Sequence, residues 1–339
     1  MRRGGLWLAV VGVVLGGAVQ ASAVLVNGAG ATFPYPLYSK WFDEFHQHHA
    51  DTQINYQSIG SGGGIRQILE GTVDFGATDG PMSDEQLAQA KIPILHLPTV
   101  LGAVVPTFNL AGVDSLQFTP EVLAGIYLGT VTHWDDAPLT KANPGVALPH
   151  QPIVPIHRSD GSGTSFVFTD YLSKVSPEWQ KSVGKGTAVN WPVGLGGKGN
   201  EGVAGLVKQT PNSIGYVELI YAVQNKLPSG PVRNKAGRLV SATLESVTAA
   251  AAGATIPDDY RVSITDAPGA DAYPIASFTW LLVPTHIADA DKGQAITKFL
   301  SWMLGEGQAF AAPLNYAPLP QSVVERERRT LEKIQVGGK

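Results

Sequence analysis

The sequence predicts an α/β fold. Three observations carry that reading. Strand-like and helix-like runs alternate along the chain, which implies layered sheet and helix. Gly and Pro fall between the runs as punctuation. Several strand-like runs end in turns rich in glycine and hydroxyls that lead directly into helix-like segments, the place where ligands gather in such sheets. The chain has 339 residues, 44% hydrophobic and 15% charged. That balance supplies large cores, and the length suggests two domains.

The first 23 residues read as a leader rather than as fold. Arg2 and Arg3 form a basic start, "LWLAVVGVVLGGAV" (6–19) a short apolar stretch, and "ASA" (21–23) a small-x-small cleavage site. We expect a secretory signal peptide cut after Ala23; the apolar run is short for an uncleaved anchor. The chain has no cysteine, so disulfides, lipid-bearing thiols, thiol nucleophiles and cysteine metal sites are excluded. A net charge of -4 and the lack of a long basic run argue against nucleic acid as a partner.

The elements follow in order. "YPLYSKWFDEFHQHH" (35–49) places Leu37, Trp41 and Phe45 on one helical face. "QINYQSI" (53–59) reads as strand, "GGIRQILEG" (63–71) as helix and "TVDFGAT" (72–78) as strand. "SDEQLAQA" pairs Ser83 with Gln86 in a capping-box pattern. Further strands are expected at 101–109, 152–158, 213–219 and 275–284, and helices at 200–210, 243–254 and 322–334. In the last, Val324 and Leu331 share one face and the charges of 325–333 read as solvated.

Three turns stand out: "GAGATFP" (28–34), "IGSGGGIRQI" (59–68) and "RSDGSGTSFVF" (158–168). Each puts small residues and hydroxyls at a helix start. The first helical turn carries unpaired N–H groups and partial positive charge, and glycine permits close approach, so such a turn suits an anion. Ser and Thr cap ordinary helices in the same way. Three such turns together, one opening on Arg158, point to a shared anion. Arg158 offers paired planar donors for a tetrahedral oxyanion. Asp160 either orients that guanidinium or caps the following helix, and we expect it to meet both the Arg and a ligand proton.

Asp79, just past the strand ending "FGAT", looks out of place at an anion site. A carboxylate only accepts hydrogen bonds, so it repels a fully ionised oxyanion and welcomes one that keeps a proton. Phosphate near neutral pH keeps one; sulfate does not. Asp79 therefore reads as a selectivity device, against the plainer reading of a turn Asp before Gly80-Pro81.

Other motifs carry less. "GLGGKG" (194–199) satisfies G-x-G-x-x-G but follows no clear strand and lacks a Ser or Thr after Gly-Lys, which speaks against a dinucleotide site or a P-loop. "HQHH" (46–49) has no supporting carboxylates and reads as a solvated helix end. His157 should point away from Arg158, and Trp41 and Trp134 read as packing residues. There is no G-x-S-x-G or H-E-x-x-H, so an activated nucleophile or catalytic metal is not in evidence.

The blocks "GAGATFP", "IGSGGGIRQI", "VDFGATDGPMSDEQL", "IYLGTVTHWDD", "RSDGSGTSFVFTDYLSKV", "WPVGLGGKGNEGV", "IGYVEL" and "NYAPLPQSVVE" resemble those of the periplasmic phosphate-binding proteins of ABC-type phosphate importers. The resemblance spans nearly the whole chain after the leader. It implies a type II two-lobe periplasmic-binding-protein fold with a strand hinge, crossed near Val100–Val104 and Ile275–Phe278. Lobe 1 would be 24–102 plus 275–339 and lobe 2 103–274. The implied phosphate ligands are Thr32, Phe33 through its backbone amide, Ser61, Asp79, Arg158, Asp160, Ser162, Gly163 and Thr164. Gly62 stands where some relatives have a second serine. The implied role is a secreted, periplasmic, monomeric, high-affinity receptor, not an enzyme, without cofactor or metal, handing inorganic phosphate to the permease and ATPase subunits of the importer. A phosphatase, or a binder of another tetrahedral oxyanion, is the alternative.

Overall fold

The computed structural model describes residues 23–338, so the expected leader lies outside the described residues except for Ala23. Eight strands form one sheet in the order β2-β1-β3-β10-β4-β7-β5-β6. They are β1 Val24–Gly30, β2 Thr52–Ser58, β3 Phe75–Thr78, β4 Ile94–Asn109, β5 Val154–Arg158, β6 Leu195–Gly197, β7 Ser213–Glu218 and β10 Ala276–Pro284. Two short pairs stand apart: β8 Val232–Arg233 with β9 Leu239–Val240, and β11 His286–Ile287 with β12 Gln335–Val336.

The 16-residue strand β4 organises the molecule. Along 94–103 it pairs antiparallel with β10, and along 104–109 with β7. The parallel strands β1, β2 and β3 lie on one side of that crossing, and β5 and β6 on the other. The fold is the two-lobe α/β arrangement expected from the sequence, with the long strand common to both halves.

β4 begins seven residues earlier than its alternation predicts. His96, Pro98 and Thr99 break the apolar pattern, yet His96 and Thr99 are buried, because this stretch lies inside the sheet. Proline cannot donate to a ladder; Pro98 sits opposite Trp280 at a register shift between Thr279 and Trp280.

The helix Tyr35–His48 buries Leu37, Trp41 and Phe45 fully, as its spacing predicts. Burying three such side chains contributes roughly 1.5–3 kcal/mol each, more than the propensity of so short a helix supplies. Trp41 Nε1 also donates to Gly307 O at 2.6 Å. Phe299 packs on Phe42 and Phe45, with ring centres at 5.3 and 5.4 Å. It belongs to the helix Ala290–Met303, which the sequence reading did not find. The Ser83 capping box forms in both directions.

The other half centres on Tyr216, stacked on Phe168 with centres at 4.3 Å. His157 stacks on Trp191 on the side away from the buried Arg158 guanidinium.

The C-terminal helix Gln321–Leu331 corrects one expectation. Its charges are not all solvated, because Glu327 is fully buried with both carboxyl oxygens unpartnered. Burial pushes its pKa well above the usual carboxylate range, which favours the neutral form. Chain 256–261 crosses to this region: Tyr260 O accepts from Trp280 Nε1, and Arg326 lies over the Tyr260 ring at 4.5 Å.

Candidate functional site

β3 ends at Thr78 and delivers Asp79 into the interior, where the residue is 1% exposed. Its two carboxyl oxygens differ. Thr279 Oγ1, on β10, donates to Oδ1 at 2.8 Å. Oδ2 is buried with no partner. An orphaned buried acceptor costs about 1–3 kcal/mol, so it marks a place where a donor belongs. Burial pushes the Asp79 pKa up to about 7, opposed by the bond from Thr279, the Arg158 charge and Ser61.

Ser61 Oγ and Gly163 lie beside that oxygen, and in each of the four hydroxyl residues singled out the oxygen already accepts from nitrogen. Ser61, first residue of the helix Ser61–Glu70, accepts from Asp79 N at 3.2 Å. Ser162 caps the helix Gly163–Val175 by accepting from Ser165 N at 3.0 Å. Thr32 Oγ1 accepts from Asn200 N at 3.3 Å and Nδ2 at 2.8 Å. Thr164 Oγ1 accepts from Asn200 Nδ2 at 3.0 Å and Arg158 Nη1 at 3.3 Å. A hydroxyl has one proton to give; for Thr32, Ser162 and Thr164 no acceptor among the described residues takes it, while the Ser61 hydroxyl lies close enough to the Asp79 carboxyl to oppose its rise in pKa.

Close approach of the two halves assembles the cage. Gly62 N donates to Gly161 O at 2.9 Å. A Cβ on Gly163 would land on Ser61 Oγ and Asp79 Oδ2, so only glycine lets the second helix start reach the first. Gly60 has φ +88°, a conformation suited to glycine, and a Cβ there would strike Asp160. Because Ser162 satisfies Ser165 N and its carbonyl takes Phe166 N, the amides of Gly163 and Thr164 head the helix as further donors.

Arg158 ends β5 and is 3% exposed. Asp160 holds it on two sides, accepting from Nε at 2.8 Å and Nη2 at 2.6 Å. Asp160 Oδ1 also accepts from Gly199 N at 3.1 Å. This fork keeps Asp160 charged, with its pKa lowered against the effect of burial chiefly by Arg158. The Arg Nη1 end is turned to Thr164.

Of the nine residues singled out from sequence, Thr32, Ser61, Asp79, Arg158, Asp160, Ser162, Gly163 and Thr164 are linked by these contacts. Phe33 follows Thr32 with its carbonyl accepting from Tyr316 OH at 2.6 Å and its ring beside Gly102. Two residues escaped the sequence reading. Thr279 sits mid-strand, with no local signal. Asn200 follows "GGKG" at the start of the helix Gly199–Gln209, a fourth glycine-led helix start that the same argument could have found. Nearby, Glu218 is fully buried; Oε2 accepts from Ile220 N at 2.8 Å, Oε1 has no partner, and burial pushes its pKa well above the usual range.

Asp79 Oδ2 is an unpartnered acceptor with the Ser61 hydroxyl and the start of the helix Gly163–Val175 beside it. That pattern suits a small tetrahedral oxyanion with one proton. A groove of about 820 Å³ lined by Tyr35, Lys40, Glu201, Tyr221 and Phe310 is far larger than such an ion requires. Among the described residues no group of three His, Cys, Asp or Glu gathers to hold a metal ion, and no helix is long and apolar enough to cross a membrane.

Fold and site together define a solute-binding α/β protein, and the family model for the PBP superfamily domain matches residues 17–306. A phosphate-binding protein of Xylella fastidiosa is 45% identical over 91% of this chain and 85% of its own length. One from Methanocaldococcus jannaschii is 40% identical over 94% of this chain and 90% of its own. Within that superfamily, the chain belongs to the family of the PstS phosphate-binding proteins. A high-affinity periplasmic phosphate-binding protein solved with phosphate bound superposes with a TM-score of 0.74 at 21% identity, covering 90% of this chain and 93% of that one, a likeness of fold.

Proposed function

We propose that this protein is a secreted receptor that captures inorganic phosphate and delivers it to an ABC-type importer in the membrane. The observation that carries the reading is Asp79 Oδ2, a buried acceptor without a partner at the start of the helix Gly163–Val175, in the same cluster as Thr32, Ser162 and Thr164, whose hydroxyl oxygens already accept from nitrogen. Hydrogen phosphate supplies a proton to that oxygen and accepts from the rest. The names of the relatives support the same ligand.

The ligand set is Thr32, the Phe33 amide, Ser61, Asp79, Arg158, Ser162, Gly163 and Thr164, with Asp160 holding the guanidinium. Hydrogen bonds to a charged group contribute about 1.5–3 kcal/mol each. Association and closure cost several kcal/mol or more, which leaves a micromolar or tighter Kd, about -8 kcal/mol or below. The lobes are 24–102 plus 275–339 and 103–274. The change of partner along β4, from β10 at Ala103 to β7 at Val104, supports that division, although 256–261 lies against Trp280 and Arg326 of the first lobe. Thr32, Ser61 and Asp79 then belong to one lobe and Arg158 to Thr164 to the other, so phosphate binds the closed arrangement best and shifts the population to it.

Export to the periplasm follows from the leader, with cleavage after Ala23, and the receptor acts as a monomer without catalysis. Incubation with a chromogenic phosphate ester should give no turnover; sustained release of product would instead favour a phosphatase.

A further inference from the structure

We propose that Asn200 sets the direction of the Thr32 and Thr164 hydroxyl protons, so that both hydroxyls can only donate to the ligand. The inference rests on the phosphate-receptor reading and adds to it a residue that need not touch the ion.

Asn200 is fully buried, and its orientation is fixed by its neighbours. The Glu218 N–H lies 2.9 Å from Oδ1. A backbone N–H only donates, so the oxygen of the amide must face it. The NH2 end therefore faces the two threonines, with Thr32 Oγ1 at 2.8 Å and Thr164 Oγ1 at 3.0 Å. An amide nitrogen carries two protons, one for each hydroxyl.

The consequence is arithmetic of lone pairs. Thr32 Oγ1 accepts from Asn200 Nδ2 and Asn200 N. Thr164 Oγ1 accepts from Asn200 Nδ2 and Arg158 Nη1. Two donors occupy the two acceptor positions of each hydroxyl. Neither oxygen can accept from a ligand, and each has one proton to offer. The two threonines come from distant parts of the chain, so a single amide polarises donors on both sides of the cleft. Together with Asp79 as the lone acceptor, this restricts the guest to one whose oxygens at these two places are unprotonated. Asn200 is a positioning residue, acting through the hydroxyls.

The test is a double-mutant cycle of Asn200→Ala and Thr32→Val, reading phosphate affinity by calorimetry and ligand-free melting separately. Wild-type binding in the same series tests the receptor reading on its own. Each single variant is expected to weaken phosphate binding roughly 10- to 100-fold. The double variant should lose at least about threefold less than the product of the two, because both changes remove the same donated proton. That coupling should be seen in affinity and be smaller in melting. Losses that multiply in affinity while coupling only in melting would overturn the proposal, leaving Asn200 a structural brace. Should Asn200→Ala not fold, the isosteric Asn200→Asp serves. Its carboxylate accepts from both hydroxyls and turns them from the ligand, so it should bind phosphate more weakly than wild type, with the loss reduced in the Thr32→Val background. Wild-type affinity in Asn200→Asp, or an equal loss in both backgrounds, would also overturn the proposal.

Discussion

Thr279 Oγ1 lies 2.8 Å from Asp79 Oδ1 and donates to it, which leaves Oδ2 as the open acceptor of the cage. The pairing dictates how an amide would sit in place of the acid. In Asp79→Asn the oxygen stays toward Thr279, and the NH2 group faces the site as a donor. A fully ionised oxyanion then becomes acceptable. Sulfate binding should tighten by about tenfold or more, while phosphate, losing one bond, weakens by a smaller factor. Competition calorimetry reads both, and an unchanged ratio of affinities would remove Asp79 from the account of selectivity.

Asp79 also makes a prediction about the ligand-free protein. Its folded pKa of about 7 lies above the ordinary 3.8. Between those values the folded state holds the extra proton, so stability falls as pH rises across that window and flattens above it. Buried Glu218 and Glu327 contribute in the same direction. The difference isolates Asp79: from about pH 4 to about pH 7, wild type should lose more melting temperature than Asp79→Asn. Parallel curves would mean that the Asp79 carboxyl titrates normally.

His96 predicts the opposite slope. Its ring is 3% exposed, Nε2 accepts from Met82 N at 3.0 Å, and burial with Arg261 nearby lowers its pKa to about 4. Between about 4 and the ordinary 6.5 the unfolded chain binds the proton, so stability is lost as pH falls through that range. A His96→Gln variant lacks the titration. Wild type should therefore lose more melting temperature than His96→Gln on going from about pH 7 to about pH 5; identical losses would count against a neutral, buried His96.

Gly163→Ala tests closure. The added methyl would overlap Ser61 Oγ and Asp79 Oδ2, which the proposed lobe division sets on the other side of the cleft. We expect phosphate affinity to fall at least about 100-fold, more than two ordinary hydrogen bonds, with ligand-free melting little changed because no core contact is lost. Binding within a fewfold of wild type would show that the halves do not meet as closely as described.

How much of this was legible follows from where the signals lie. Leu37, Trp41 and Phe45 fix their helix by spacing, and the three glycine-hydroxyl turns advertise a site because helix starts carry their own chemistry. β4 was only half visible, since His96, Pro98 and Thr99 hide a strand whose burial comes from tertiary pairing. Glu327 read as solvated because helical charges usually are, and nothing local reports that its face is covered. Thr279 acts on Asp79 from 200 residues away, and Asn200 gains its meaning from two threonines that only folding brings together.

Titration of the mature wild-type protein with phosphate and with sulfate, by calorimetry near neutral pH, tests the central claim most directly. A micromolar or tighter Kd for phosphate, with sulfate at least about 100-fold weaker, is the predicted result. Comparable affinity for the two ions, or no heat with phosphate, would contradict a cage built around one open carboxylate oxygen.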